Sequence, residues 1–150
     1  MGFYYAKGTI HFFIIVISLV KFLYLNRSQV KIIAIHKDNY APVVVVDLLP
    51  LSDAKKIAWW RDESKNILTN EDDAQIHNRA LNYYIYRFGE GYQESGKEDR
   101  LCFDDMKAPK NCLDKDILMI VRYRKNGDIQ FDIDDDAYIL RQSGELKKVD

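Results

Sequence analysis

The strongest hydrophobic pattern lies at the amino end. Ile10 to Val20 is an almost unbroken apolar run, and after Lys21 it resumes as Phe22-Leu23-Tyr24-Leu25. By itself the run is shorter than the roughly 20 residues that cross a hydrocarbon core of about 30 Å. Continuing back through Phe3, Tyr4, Tyr5 and Ala6 supplies the length. Lys7 and Lys21 then fall towards the two ends, where their heads reach the interface. Tyr4, Tyr5 and Tyr24 take interfacial aromatic positions. The pattern predicts one N-terminal transmembrane helix, with residues 1–28 as the anchor and 29–150 as a single exported domain. Two other readings fit part of it. A cleaved signal peptide needs a small-residue cleavage site after its core, and Leu23-Tyr24-Leu25-Asn26-Arg27 offers none. A buried core helix is the other, since the span contains His11 and Lys21. The length of the run and its terminal position favour the anchor.

Beyond the anchor the periodicity alternates between strand and helix. Val30 to His36 mixes alternation with β-branched residues and predicts a first strand. Val43 to Leu49 is more continuously apolar, as expected of a central strand. Asp38 to Pro42 supplies turn chemistry between them. Pro50 ends the second strand, Ser52 is a good N-cap, and Asp53 to Leu68 reads as an amphipathic helix. Ile57, Trp60, Ser64, Ile67 and Leu68 form its apolar face; Lys55, Lys56, Arg61, Asp62 and Lys65 lie largely opposite, and Trp59 falls between. The Trp pair is read as core packing against a sheet rather than as a ligand-stacking platform. Thr69 to Arg79 is polar and acidic, a loop or a short helical turn.

Leu81 to Phe88 predicts a third strand, closed by Gly89-Glu90-Gly91. Ile117 to Arg124 and Ile129 to Ile133 flank Lys125-Asn126-Gly127-Asp128, and an Asn-Gly pair between strands is a strong hairpin signal. Tyr138 to Gln142 and Glu145 to Val149 pair around Ser143-Gly144. The expected fold is α+β, with about seven mostly antiparallel strands packed against one main helix.

Composition narrows the classes. With 22 basic and 23 acidic residues the formal charge is -1. The basic excess that phosphate neutralisation demands is absent, so no nucleic-acid partner is expected. An apolar content of 47% with well-spread aromatics argues for a packed core rather than disorder.

Cys102 and Cys112 are the only cysteines. Pro109 and Asn111 between them let the chain double back, and a disulfide there would contribute about 2–3 kcal/mol by constraining the unfolded chain. Such bonds persist outside the cytosol. A zinc site would need further ligands, the spacing is not C-x-x-C, and two unrelated buried thiols are the remaining alternative. The disulfide sets the expected topology: bacterial inner membrane, single pass, C-terminal domain in the periplasm. Charge points the other way, because Arg27, Lys31 and Lys37 follow the span while only Lys7 precedes it.

Candidate chemistry is sparse. Asp132 to Asp136 resembles the start of a calcium loop, but Ala137 stands at the sixth position and Ser143 at the twelfth, so it reads as a solvated acidic turn. Gly89-Glu90-Gly91 is too short for a dinucleotide fingerprint. His11, His36 and His77 are scattered, with no triad-like order. No catalytic residue, cofactor or metal is expected.

Ile57-Ala58-Trp59-Trp60, Phe88-Gly89-Glu90-Gly91-Tyr92, Asp99 to Met106 and Asn111 to Lys115 resemble the small enterobacterial membrane proteins grouped as domain-of-unknown-function family 943. The resemblance covers most of the chain and implies a single-pass inner-membrane protein with an exported domain and no established catalytic residues. A small tethered domain without visible catalysis leads to the expectation of a binding protein, specifically an immunity protein neutralising an antibacterial toxin or effector. The alternative is a structural or accessory subunit of an envelope complex. Glu71-Asp72-Asp73, Asp104 with Asp105, and Asp132, Asp134, Asp135 and Asp136 are the candidate partner-binding positions, able to steer a basic protein. Ordinary solubility explains the same acids equally well.

Overall fold

The computed structural model describes residues 4–25, 29–37, 41–68 and 79–149, and within the first helix the side chains of residues 11–22. Helix α1 is Tyr4–Leu25. It contains the run from Ile10 to Leu25, and its described apolar side chains are exposed, Phe12 at 66% and Ile15 at 65%. Among the described residues no helix is long and apolar enough to cross a membrane.

The remaining elements are β1 (Ile32–His36), β2 (Val43–Val46), α2 (Asp53–Ile67), β3 (Asn82–Arg87), β4 (Gln93–Glu94), β5 (Arg100–Cys102), β6 (Lys110–Asp114), β7 (Ile117–Tyr123), β8 (Ile129–Ile133), β9 (Asp136–Leu140) and β10 (Leu146–Val149). The fold is α+β with a mostly antiparallel sheet, but the expected count of about seven strands is corrected. Seven form one sheet in the order β1-β2-β3-β7-β8-β9-β10, and β4-β6-β5 form a second. The sheet pairings are antiparallel except β2 with β3. That parallel pair follows from α2, which carries the chain back across the sheet between them.

Two apolar layers explain which residues went where. Val44 and Val46 of β2, Tyr83 and Ile85 of β3, Met119, Val121 and Tyr123 of β7, and Phe131 and Ile133 of β8 pack on Ile57, Trp59, Trp60 and Ile67 of α2. Val43 and Val45, Tyr86, Phe103 and Leu113 form the layer on the opposite face, under the small sheet. All four β2 valines are buried because this strand has a neighbour on each side and both of its faces covered. Its uninterrupted apolar run is the sequence mark of that position.

Helix α2 begins where expected. The backbone of Ser52 is extended, and its carbonyl accepts from the amides of Lys55 and Lys56, but its hydroxyl makes no capping bond. Trp59, left between the faces by the periodicity, is buried with Trp60. Lys56 sits half-buried, its ammonium 3.0 Å from Asp53. In the β7–β8 turn Gly127 has φ +84° and lies against the Gln142 side chain, where a Cβ would clash at 1.8 Å. Glycine is required there for its backbone conformation, and any larger residue would also have to push the Gln142 side chain aside. The turn Asp38 to Tyr40, the Thr69 to Asn78 segment, and Glu71-Asp72-Asp73 and His77 within it lie outside the described residues.

Candidate functional site

The segment expected to be a disulfide loop is instead a sheet. Cys102 on β5 lies directly opposite Cys112 on β6, and their sulfurs are bonded. Neighbouring Phe103 and Leu113 then point at the main sheet and are buried there. This small sheet brings three polar groups together that lie far apart along the chain.

His36, at the end of β1, is 4% exposed. Its ring stacks on Phe103 with centroids 3.7 Å apart and planes 15° from parallel. Nδ1 lies 2.8 Å and 3.0 Å from the two oxygens of Asp105. Nε2 lies 2.7 Å from the Tyr92 hydroxyl. A carboxylate can only accept, so Nδ1 carries the hydrogen, and in the neutral ring Nε2 accepts from the Tyr92 O–H. The order carboxylate, imidazole, hydroxyl is the one used to activate a nucleophile. Here, however, the hydroxyl is a phenol whose pKa is raised, chiefly by burial and then by the Asp105 charge. These contacts join β1 to the segments flanking the second sheet as a polar clasp.

The clasp has a pH signature. Tyr92 is raised by burial and Asp105; Tyr86, beneath the same sheet, is raised by burial and then by Tyr84 and Asp99. The folded state therefore holds these protons more tightly than the unfolded chain. Their stabilisation is complete below the unfolded value of about 10 and is lost as pH rises through the folded values. Tyr92→Phe is expected to flatten the fall in urea midpoint between about pH 9 and pH 11. An unchanged slope would count against the clasp.

The acidic positions are not gathered into one patch. Asp105 belongs to the clasp and Asp104 is exposed beside it. The Asp132 to Asp136 group lies at the β8–β9 turn, where Asp134 adopts φ +51° and, with Asp135, stays exposed. Asp132 is paired with Arg122 at 2.5 Å, Asp136 with Lys148 at 2.7 Å, and Asp134 lies 3.8 Å from Lys56. Internal bases thus take up most of the charge meant to steer a basic partner. Among the described residues no three His, Cys, Asp or Glu side chains converge as a metal site.

The sequence treated His36 as an isolated strand residue and did not connect it to Tyr92. Its only advance signal was a histidine in a strand whose apolar neighbours demanded burial, since a buried imidazole requires partners.

Over residues 6–150 the chain matches the family model described as "Enterobacterial putative membrane protein (DUF943)". No curated protein and no solved structure shows a significant match. With nearly its whole length matched, the chain belongs to the DUF943 family.

Proposed function

We propose that this chain is a single-pass inner-membrane protein whose disulfide-bonded domain lies in the periplasm and binds a protein partner, neutralising an antibacterial toxin. The observation that carries the reading is the bond between Cys102 and Cys112 across directly opposed strand positions. Structural disulfides persist in oxidising compartments and are rare in the cytosol. Helix α1 supports the anchor: 22 residues rise about 33 Å, against a hydrocarbon core of about 30 Å. The described stretch 11–22 is shorter than that, but the helix continues at both ends and its described apolar side chains face outwards. The family description, which names a membrane protein, agrees. We read the domain as a binding unit, in which the carboxylate–imidazole–hydroxyl set found among the described residues ties β1 to the second sheet.

Two measurements test this. A periplasm-dependent phosphatase fused after Asp150 is expected to be active, and a cytosol-dependent fluorophore at the same point dark; the reverse pattern defeats the topology. A deletion strain grown among toxin-armed siblings is expected to die, with the full-length protein restoring survival. Undiminished survival, with co-purification of a resident envelope complex, would establish the accessory-subunit role instead.

A further inference from the structure

The small sheet covers only part of the main sheet. Its apolar contacts fall on β1, β2 and β3, whereas α2 reaches from β1 to β9 on the other side. Residues of β7 to β10 that point away from α2 therefore have nothing above them among the described residues. The strand registers arrange them in two rows. One runs Ile120, Asp132, Ala137, Val149; the other runs Arg122, Gln130, Ile139, Lys147.

This half-face is basic in a chain that is otherwise balanced. Arg122, Arg124, Lys125, Arg141 and Lys147 lie on it or at its rim, against Asp128, Asp132 and Glu145. Asp132 is engaged by Arg122 and Gln130, and Glu145 by Arg141. Lys125 and Lys147 have no ion-pair partner among the described residues. A surface depression of about 500 Å³ is lined by Ile139, Arg141, Lys147 and Val149. A second, of about 380 Å³, is lined by Asn82, Arg122, Arg124 and Lys125. Strand β10 closes the sheet order, so among the described residues its outer backbone groups have no neighbouring strand.

We propose that the uncovered half-face of β7 to β10 docks an acidic, extended segment of a partner protein, a proposal that rests on the binding role above and names its surface. Ile120, Ile139 and Val149 interleave with the bases at strand spacing, which matches a segment alternating carboxylate and apolar side chains. An anionic lipid surface would meet the same charge, but bases and apolar positions alternating at strand spacing across a sheet face match an extended chain. The partner proposed is thus acidic, opposite in sign to the one suggested by the chain's carboxylates, of which Asp132 and Asp136 are paired with internal bases.

The test uses the full chain in non-ionic micelles and a short labelled peptide alternating glutamate and valine. Binding is expected to shift the amide signals of Ile139 and Lys147 and leave those of Leu101 and Leu113 in place. It should weaken with salt, and a peptide alternating lysine and valine should not bind. K125E/R141E/K147E is expected to weaken binding roughly tenfold, and K147E alone by less. The K97E/K107E control, on the small sheet, should bind as the parent does. Equal binding of both peptides, undiminished affinity in the triple variant, or binding only to phosphatidylglycerol vesicles overturns the proposal. None of these readouts depends on compartment or toxin, so their failure leaves the topology reporters to be judged separately.

Discussion

Trp60→Ala is expected to cost about 3–5 kcal/mol, the largest loss of any single truncation on α2. Trp60 is fully buried, its ring meets Tyr83 at 5.4 Å and Trp59 at 6.1 Å, and its Nε1 donates to the Tyr123 hydroxyl at 3.2 Å. Truncation opens a cavity between α2 and the middle of the sheet, and it removes the hydrogen bond. Domains of this size are stable by about 5–15 kcal/mol, so the variant stands near the unfolding threshold. Trp59→Phe is the informative contrast. Trp59 is 6% exposed, and its Nε1 has no hydrogen-bond partner among the described residues. Removing an orphaned N–H recovers about 1–3 kcal/mol of desolvation, which offsets the smaller ring. Its net change is expected to stay within about 1 kcal/mol. Urea denaturation of the full chain, followed by circular dichroism, measures both. A larger loss for Trp59→Phe than for Trp60→Ala would contradict this account of the core.

Replacing both cysteines with serine is expected to cost about 2–3 kcal/mol in the loop-entropy model. The damage should be local. The small sheet has strands of two, three and five residues and rests on the main sheet through Phe103, Leu113 and the His36 clasp. Such a unit opens sub-globally when its staple is removed. Hydrogen exchange should therefore show protection falling first at Leu101 and Leu113, with Val45 and Val121 retaining theirs under the same conditions. Uniform loss across both sheets would mean that the disulfide supports the whole domain rather than this layer.

How much of this was legible depended on the range of the forces involved. The two C-terminal hairpins could be read directly, because Asn126-Gly127 and Ser143-Gly144 specify turns through local backbone preference. Helix α2 was legible from its apolar spacing and from Pro50 and Ser52 before it. The small sheet was not: β4 and β5 are two and three residues long, too short for an alternation to register. The residues that stabilise it, Phe103 and Leu113, sit beside the two cysteines in runs of only two or three apolar residues. The clasp was hidden for a related reason, since 69 residues separate His36 from Asp105. The acidic positions were legible only as charges. From the sequence the six aspartates at 104, 105, 132 and 134–136 read only as formal charges, and it took the pairing of Asp132 with Arg122 and Asp136 with Lys148 to show where part of that charge is spent.

From the chain alone came what short-range physics decides: an apolar N-terminal helix, a buried β2 flagged by four consecutive valines, tight turns where glycine follows a polar residue, and two cysteines close enough to meet. Tertiary structure decided what depends on distant partners: which face of each strand is covered, which carboxylates are neutralised, and which half of the sheet stays open. Contacts across long sequence separations leave no local trace, because any one residue satisfies its own backbone equally well whatever later packs against it.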